Sequence, residues 1–464
     1  MTSRTGQFVF TVVGLLMIVA PLSTAHSAAF WLYGRGVSNY ARGGANVASP
    51  GDPTAIYLNP AALSELKGLN LLLDGNLLLD HGEFSRAPDD LDNDGTNTTY
   101  ETVGNNMKPT IPSPGLFASY NMASAGMEEL TLALGIYGPI FTYQDWPKGG
   151  AQRYSIEESH NMQAHTALGA GYELPWKGLK IGATALLTYF KLNTDLRLNA
   201  GFDVLESFST PENSEYDAMV HLEMTDSFTA AGIFSLALEP LSGWLMSLTY
   251  QMGYGVEASG TIDAVLGDTL SELAEVEGNE GSLKINIPWV ARFANQYRAE
   301  NFNIELAIQY EGWSVNDKAL VSPKDIAITS NLVDDIALTD IELKYKMRDT
   351  YGIGLGGDWQ MADAFTLRAG TFYERAAVGD KRLSPSVLDL NKLGFTVGGR
   401  YDISASTWLD FATGYAHMLE REVTDSNVKL VNPFDGTEQW PIANGTYRNW
   451  HIAFMAALGM RFGG

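Results

Sequence analysis

Apolar and polar residues alternate strictly in short segments that recur along the whole chain. In 301–313, Phe302, Ile304, Leu306, Ile308 and Tyr310 fall on one side, and Asn303, Glu305, Ala307 and Gln309 on the other. A period of two is that of a β-strand, whose side chains leave its two faces in turn. About fourteen such strands can be placed, at 69–79, 112–120, 129–143, 161–173, 178–199, 215–239, 243–262, 283–297, 301–313, 340–359, 363–374, 393–403, 407–420 and 446–462. The links between them alternate in length. Tight turns at 174–177, 240–243, 298–300, 360–362 and 404–406 interleave with long connections at 80–111, 144–160, 200–214, 263–282, 314–339, 375–392 and 421–445.

One face stays apolar in segment after segment, and no other set of elements exists to cover it. A cylinder standing in lipid resolves this, because lipid covers the apolar outside and the lumen takes the polar inside. An even strand number, with short turns at one rim and long loops at the other, belongs to the same architecture. The expected fold is all-β, a transmembrane antiparallel β-barrel of about 14 strands. In 363–374 the assignment turns Phe365, Leu367, Ala369 and Tyr373 to lipid. In 341–355 it turns Ile341, Leu343, Tyr345, Met347, Tyr351, Ile353 and Leu355 to lipid, opposite Glu342, Lys344, Lys346, Arg348, Thr350, Gly352 and Gly354.

Residues 1–27 read as a secretory signal, with Arg4, an uncharged apolar run over 8–20, and small residues at Ala25-His26-Ser27. That run is too short to cross a bilayer, and no later stretch approaches the roughly 18 uncharged apolar residues of a membrane helix. Side chains alone do not fill the lumen of so large a barrel. Residues 28–68, rich in glycine and small residues, offer a plug, with Ala55-Ile56-Tyr57-Leu58 and Ala61-Ala62-Leu63 as apolar material to bury. Residues 69–464 then form the barrel and its loops.

Composition narrows the function more than the fold. The 21 Tyr, 20 Phe and 10 Trp suit aromatic girdles at two membrane interfaces. Zero cysteines exclude disulfides and cysteine-held metal. A net charge of −24 argues against nucleic acid, which needs clustered Lys and Arg. The histidines lack metal-ligand spacing and no G-x-S-x-G elbow occurs, so no enzyme and no required cofactor is expected. Gly352, Gly354 and Gly357 spell G-x-G-x-x-G, but on a strand that runs into a turn rather than into a helix. One metal pattern stands out. Asp90, Asp92, Asp94, Thr96 and Glu101 keep calcium-loop spacing in the first outer loop, with Gly95 at the sharp turn. A structural Ca2+ site and a merely solvated acidic loop are both open there.

At 34–63 the chain resembles a known family. Gly34-Arg35-Gly36, Ala41-Arg42-Gly43-Gly44-Ala45 and the run Asp52-Pro53-Thr54-Ala55-Ile56-Tyr57-Leu58-Asn59-Pro60-Ala61-Ala62-Leu63 are similar to the N-terminal hatch of FadL-type outer-membrane transporters. Gly135-Ile136-Tyr137-Gly138-Pro139, Gly149–Tyr154, Tyr310-Glu311-Gly312-Trp313-Ser314 and Thr366-Leu367-Arg368-Ala369-Gly370 extend the likeness over the mature chain. Two departures are Ala62 where the family has glycine, and Gly463-Gly464 after Phe462 where it ends on an aromatic residue. The resemblance implies a fourteen-stranded barrel with a luminal hatch that carries long-chain fatty acids or aromatic hydrocarbons. It also implies a hatch gate at Asn59, Pro60 and Ala61, and a lateral opening where the third strand kinks, at Gly135, Gly138 and Pro139. Proline cannot donate to a ladder, so a break or a simple rim bulge fits Gly138-Pro139 on local grounds. By the same resemblance Phe202, Leu205 and Phe208, with Leu266, Leu270 and Leu273, would build an outer greasy groove. Packing of the loops among themselves is the alternative.

The expected function is passive uptake of hydrophobic small molecules across a bacterial outer membrane. Capture in the groove, movement of the hatch and sideways exit through the kinked strand would be its steps. The surroundings would be outer-membrane lipid and lipopolysaccharide, and the barrel a monomer. A polar-solute porin and an outer-membrane lipid hydrolase are the alternatives. A fatty acid would want a buried cation, for which Lys344, Lys346, Arg348 and Arg368 are candidates; a neutral hydrocarbon would not.

Overall fold

The computed structural model describes residues 33–90, 97–106, 113–176, 178–199, 212–272, 274–330, 336–431 and 438–463, so the signal segment lies outside the described residues. Fourteen antiparallel strands close into one barrel. They are β1 (Leu69–Arg86), β2 (Ser113–Asn121), β3 (Leu130–Asp145), β4 (Glu158–Glu173), β5 (Leu179–Asn199), β6 (Asp217–Leu241), and four strands built in two pieces. These are β7 (Trp244–Gln251, Tyr254–Val265), β8 (Glu280–Ile287, Val290–Arg298), β9 (Phe302–Glu311, Lys318–Lys324) and β10 (Ile341–Lys344, Thr350–Ala362). Then come β11 (Phe365–Glu374), β12 (Lys392–Ser404), β13 (Thr407–Val423) and β14 (Gly445–Phe462). β14 returns to β1 in unbroken register from Leu69↔Phe462 to Arg86↔Gly445. No strand edge is left facing lipid at that seam, as a bilayer requires.

Two belts of aromatic rings mark where the wall stands in the membrane. Trp244, Tyr297 and Phe302 pack edge to edge near the short turns. Tyr250, Trp289 and Tyr310 stack at the other level, and Tyr351 meets Tyr373 there. Phe302 and Tyr310 are four side-chain repeats apart on one strand. At about 3.3 Å per residue and a tilt near 40°, that spans roughly 20 Å of height, close to the apolar band of such barrels. Between the belts Leu248, Leu306, Ile308, Ile353, Leu355, Phe395 and Phe454 are exposed on the outer wall.

Above the upper belt the apolar side changes. β7 breaks at 252–253, β8 at 288–289, β9 at 312–317 and β10 at 345–349, four adjacent strands at one level. Pro288 has no N–H to give, and a Cβ on Gly253 would lie 2.8 Å from the Ile287 carbonyl oxygen. Beyond the breaks the outward residues are charged and pair across strands, as in Lys284–Glu257, Lys318–Glu342 and Lys324–Glu280. The buried side there is apolar and includes Val220, Met224, Val256, Leu283, Ile287 and Val321. The strands outrun the bilayer, and outside it the outer face meets water.

This reversal corrects the face assignment in 341–355. Tyr351, Ile353 and Leu355 are exposed on the lipid side. Ile341 and Leu343, however, pair with Val321 and Ala319, which face the interior. Met347 is buried beside Trp313, with Tyr345 against the same cluster. The alternation continues, but the break at 345–349 turns it over.

The reversal has a measurable consequence. Leu306→Arg, midway between the belts, should lower the unfolding free energy in lipid vesicles by about 2–4 kcal/mol. Ser259→Arg, exposed on the outer extension, should change it by no more than about 0.5 kcal/mol. Equal losses at the two positions in urea titrations would contradict the placement of the membrane.

Candidate functional site

Residues 33–66 thread the lumen as two short helices, α1 (Val37–Ala41) and α2 (Ala55–Leu58), and a 3-10 turn at Pro60–Glu65. Nearly every residue from Gly36 to Ser64 is buried. Helices this short do not persist alone in water, so the segment is held by the wall. The wall makes room with glycine. On one side Arg42 and Gly43 lie against Gly354, Gly356 and Gly370, where any added Cβ would fall 2.1–2.2 Å from plug backbone. On the other side Pro60 lies against Gly171 and Gly182, with 2.1 Å from a Cβ on Gly182 to the Pro60 carbonyl carbon.

Polar side chains of the wall then fasten the plug's backbone. Glu305, fully buried, accepts from Val47 N at 2.6 Å and from Ala48 N at 3.3 Å, and faces Arg42 Nη2 at 3.7 Å. Thr184 donates to the Ile56 carbonyl, Ser235 accepts from Ala61 N, and Thr131 donates to the Leu66 carbonyl. Asn59 is fully buried and its Nδ2 donates to the Ala48 carbonyl at 2.9 Å. Asn59, Pro60 and Ala61 therefore sit against β4, β5 and β6.

The third strand is irregular at the expected place. Tyr137 faces His165 and Ile140 faces Gln163, so two residues of β3, Gly138 and Pro139, oppose Ala164 alone on β4, a bulge. The β2–β3 ladder ends at Gly115↔Tyr137. Beyond the bulge Ile140–Asp145 pairs with β4, and Asn106 N reaches the Asp145 carbonyl at the rim. Gly135 faces Phe117 and Ile56, with a Cβ there 2.9 Å from the Phe117 ring. The plug residue packed behind the end of this ladder is Tyr57, with ring centroids 4.8 Å from Tyr137 and 5.8 Å from Phe117. Pro60 and Ala61 thus contact β4, β5 and β6, and Tyr57 backs the bulge.

The two ends of the lumen differ in chemistry. Toward the short turns lies a polar cavity of about 290 Å³ lined by Arg42, Arg298, Arg368, Arg400, Arg461 and Asp358, among others. Toward the loops the interior is the apolar cluster above the breaks, against which Phe190, Leu192, Leu196, Leu198 and Ile285 pack while only partly buried. An apolar interior left incompletely covered is a surface for a greasy molecule.

The remaining sequence candidates divide. Arg368 is ion-paired with Asp410 and Asp358, and Lys344 with Glu438. Lys346 is exposed with a left-handed backbone. Arg348 is exposed outside the spanning wall, where burial of part of its side chain and then the charges of Arg375 and Arg421 push its pKa down. None of the four offers a free cation to the apolar interior. Phe202, Leu205, Phe208 and Leu273 lie outside the described residues; Leu266 is half-buried, and Leu270 falls in the short helix Asp268–Ser271. Asp92, Asp94 and Thr96 also lie outside them. Asp90 and Glu101 flank a loop whose neck is pinned by Asp89, which pairs with Thr98 through backbone and with Arg86 and Tyr100 through its carboxylate. Sequence reasoning placed Tyr57 in the plug and Glu305 on the inner face but paired neither with its contact, since nothing local marks a partner more than fifty residues away.

Comparison with known proteins agrees with this geometry. The family model described as outer membrane protein transport protein (OMPP1/FadL/TodX) matches residues 18–442. A putative outer membrane protein of Neisseria meningitidis serogroup B is 21% identical over 427 residues, 85% of this chain and 87% of that one. Outer membrane protein P1 of Haemophilus influenzae is 22% identical over 198 residues, 41% of this chain and 40% of its own. Among solved structures, a Pseudomonas aeruginosa FadL homologue superposes with a TM-score of 0.76 at 13% identity, over 94% of this chain and 100% of that one. The Pseudomonas putida toluene transporter TodX does so with a TM-score of 0.64 at 16% identity, over 94% and 100%. The chain belongs to the OMPP1/FadL/TodX family of outer membrane transport proteins, a multi-pass β-barrel that serves the passage of hydrophobic compounds rather than catalysis.

Proposed function

We propose that this protein takes up hydrophobic small molecules, long-chain fatty acids or aromatic hydrocarbons, without an energy source, by outer capture, plug movement and sideways exit. The observation that carries the reading is the reversal above the upper aromatic belt, which leaves an apolar interior at the height where a ligand arrives from outside. A greasy molecule gains by leaving water for that surface. A polar-solute porin would want a wet, charged passage, and here the membrane-level lumen is occupied by a buried segment.

Each hydrogen bond from wall to plug backbone is individually weak, of order 1 kcal/mol, so movement of the plug would be opposed chiefly by the apolar cluster that it shares with the wall. The β3 bulge supports the exit step, because the register shift at Gly138-Pro139 interrupts the regular β3–β4 ladder in a strand of the wall. In the first outer loop, Asp90, Asp92, Asp94, Thr96 and Glu101 would hold calcium and tie the loop to its pinned neck.

Gly138→Trp should cut cellular uptake of a radiolabelled fatty acid or toluene several-fold while outer-membrane abundance stays constant; undiminished uptake would remove the sideways exit. In planar bilayers the protein should conduct little, and Gly182→Val, which forces Pro60 and Ala61 off the wall, should raise the conductance. A large wild-type conductance would favour a porin instead. Calcium at millimolar levels should raise the melting temperature of the wild type but not of a variant with Asp92→Asn and Asp94→Asn. No calcium response would leave the loop merely solvated.

A further inference from the structure

The plug carries one cation whose guanidinium donors find no hydrogen-bond partner among the described residues. Arg35 stands between Gly34 and Gly36, both in the left-handed region with φ of 73° and 91°. A side chain at Gly36 would collide with the Tyr57 hydroxyl 2.5 Å away, so the tight approach is built in. The Arg35 carbonyl is pinned by Asn39 Nδ2 at 3.2 Å and the Tyr57 hydroxyl at 3.4 Å. Its guanidinium lies over the Tyr137 ring at 4.7 Å and the Tyr57 ring at 5.7 Å. Nε, Nη1 and Nη2 are all buried, and none has a hydrogen-bond partner among the described residues.

A buried guanidinium with five idle donors is costly unless something supplies an acceptor. Stacking on two rings offsets only part of that cost. The other titratable groups near it do not complete the site. Asp74, whose Oδ1 is itself unpartnered, interacts with Arg35 electrostatically without forming an ion pair. His165 meets the Tyr137 ring edge-on and its Nδ1 bonds Thr188. Arg292 is committed to Gln309 and Gln251. Asp52 is engaged with Thr54 and Ser38.

The location gives this idle cation a use. Tyr137 is the last residue of the β2–β3 ladder before the bulge, and Tyr57 is the plug residue behind it. We propose that Arg35 is the specificity-determining residue of the passage, accepting the carboxylate of an amphiphilic monocarboxylate at the inner side of the β3 bulge while its chain lies among Phe117, Tyr57 and Tyr137. This rests on the uptake reading and goes further, since it selects an ionised ligand over a neutral hydrocarbon at one residue. A planar guanidinium receives a carboxylate through two parallel bonds. Asp74 opposes a second negative charge nearby, so the ligand is held but not retained.

The test compares oleate with its neutral methyl ester, by equilibrium binding to the purified full-length protein. Arg35→Gln should weaken oleate by about ten- to a hundredfold, the worth of charge-assisted hydrogen bonds, and leave methyl oleate unchanged. Arg35→Lys should restore part of the loss, and Asp74→Asn should tighten oleate a few-fold. Unchanged heat-modifiability on gels checks that each variant is folded. Equal effects of Arg35→Gln on both probes, or none on either, would overturn the inference while leaving uptake intact. A wild type that binds neither probe would instead overturn the uptake reading.

Discussion

Closure of the first strand on the last is the constraint from which the other features descend. Inside a bilayer no water is present to satisfy an open strand edge, so the wall must return to itself. The continuous register between β1 and β14 accomplishes this. Closure then creates an inside, and fourteen strands make it too wide for side chains to fill. The leading segment, buried between glycine-lined stretches of wall, occupies that space.

The membrane's outer boundary imposes a second condition. Below the upper aromatic belt, the wall is apolar outside and packs inside on the plug, through both apolar side chains and polar groups. Above it, lipid is replaced by water, and cross-strand ion pairs cover the outer face. The apolar side chains displaced from that face turn inward, so a water-surrounded cylinder has a greasy interior. One structural solution to leaving the membrane therefore also produces a surface for hydrophobic molecules. The polar, arginine-lined cavity at the opposite end shows that the lumen is graded rather than uniform.

The plug is held by a hydrophobic cluster, in which Ile56, Tyr57, Leu58 and Leu63 pack with Leu72, Phe117, Leu186 and Ile233 of the wall, and by hydrogen bonds to its backbone. Glu305 binds two successive backbone amides, and Thr184, Ser235 and Thr131 each hold one backbone group. Glycines let the backbone of Arg42, Gly43 and Pro60 meet the wall closely. The hydrogen bonds specify position strongly, since each buried donor needs its acceptor. Tyr57, Arg35 and Ile56 present side chains toward the irregular strand.

Strand number, strand positions, the alternation of short and long links and the lipid face between the aromatic belts were all legible from the chain alone. Each is a local property: a period of two, a proline, a cluster of turn-forming residues. The bulge at Gly138-Pro139 was legible for the same reason. Alternation reports that a strand has two sides, but not which side is inside. For Ile341, Leu343, Tyr345 and Met347 only the closed cylinder and the break at 345–349 decided that. Likewise, Arg368 and Arg35 look equivalent in a sequence. Tertiary structure gave one of them Asp410 and Asp358 as partners and left the other over two tyrosine rings, because which strands lie beside a side chain is set by the closed barrel and not by the residues next to it in the chain.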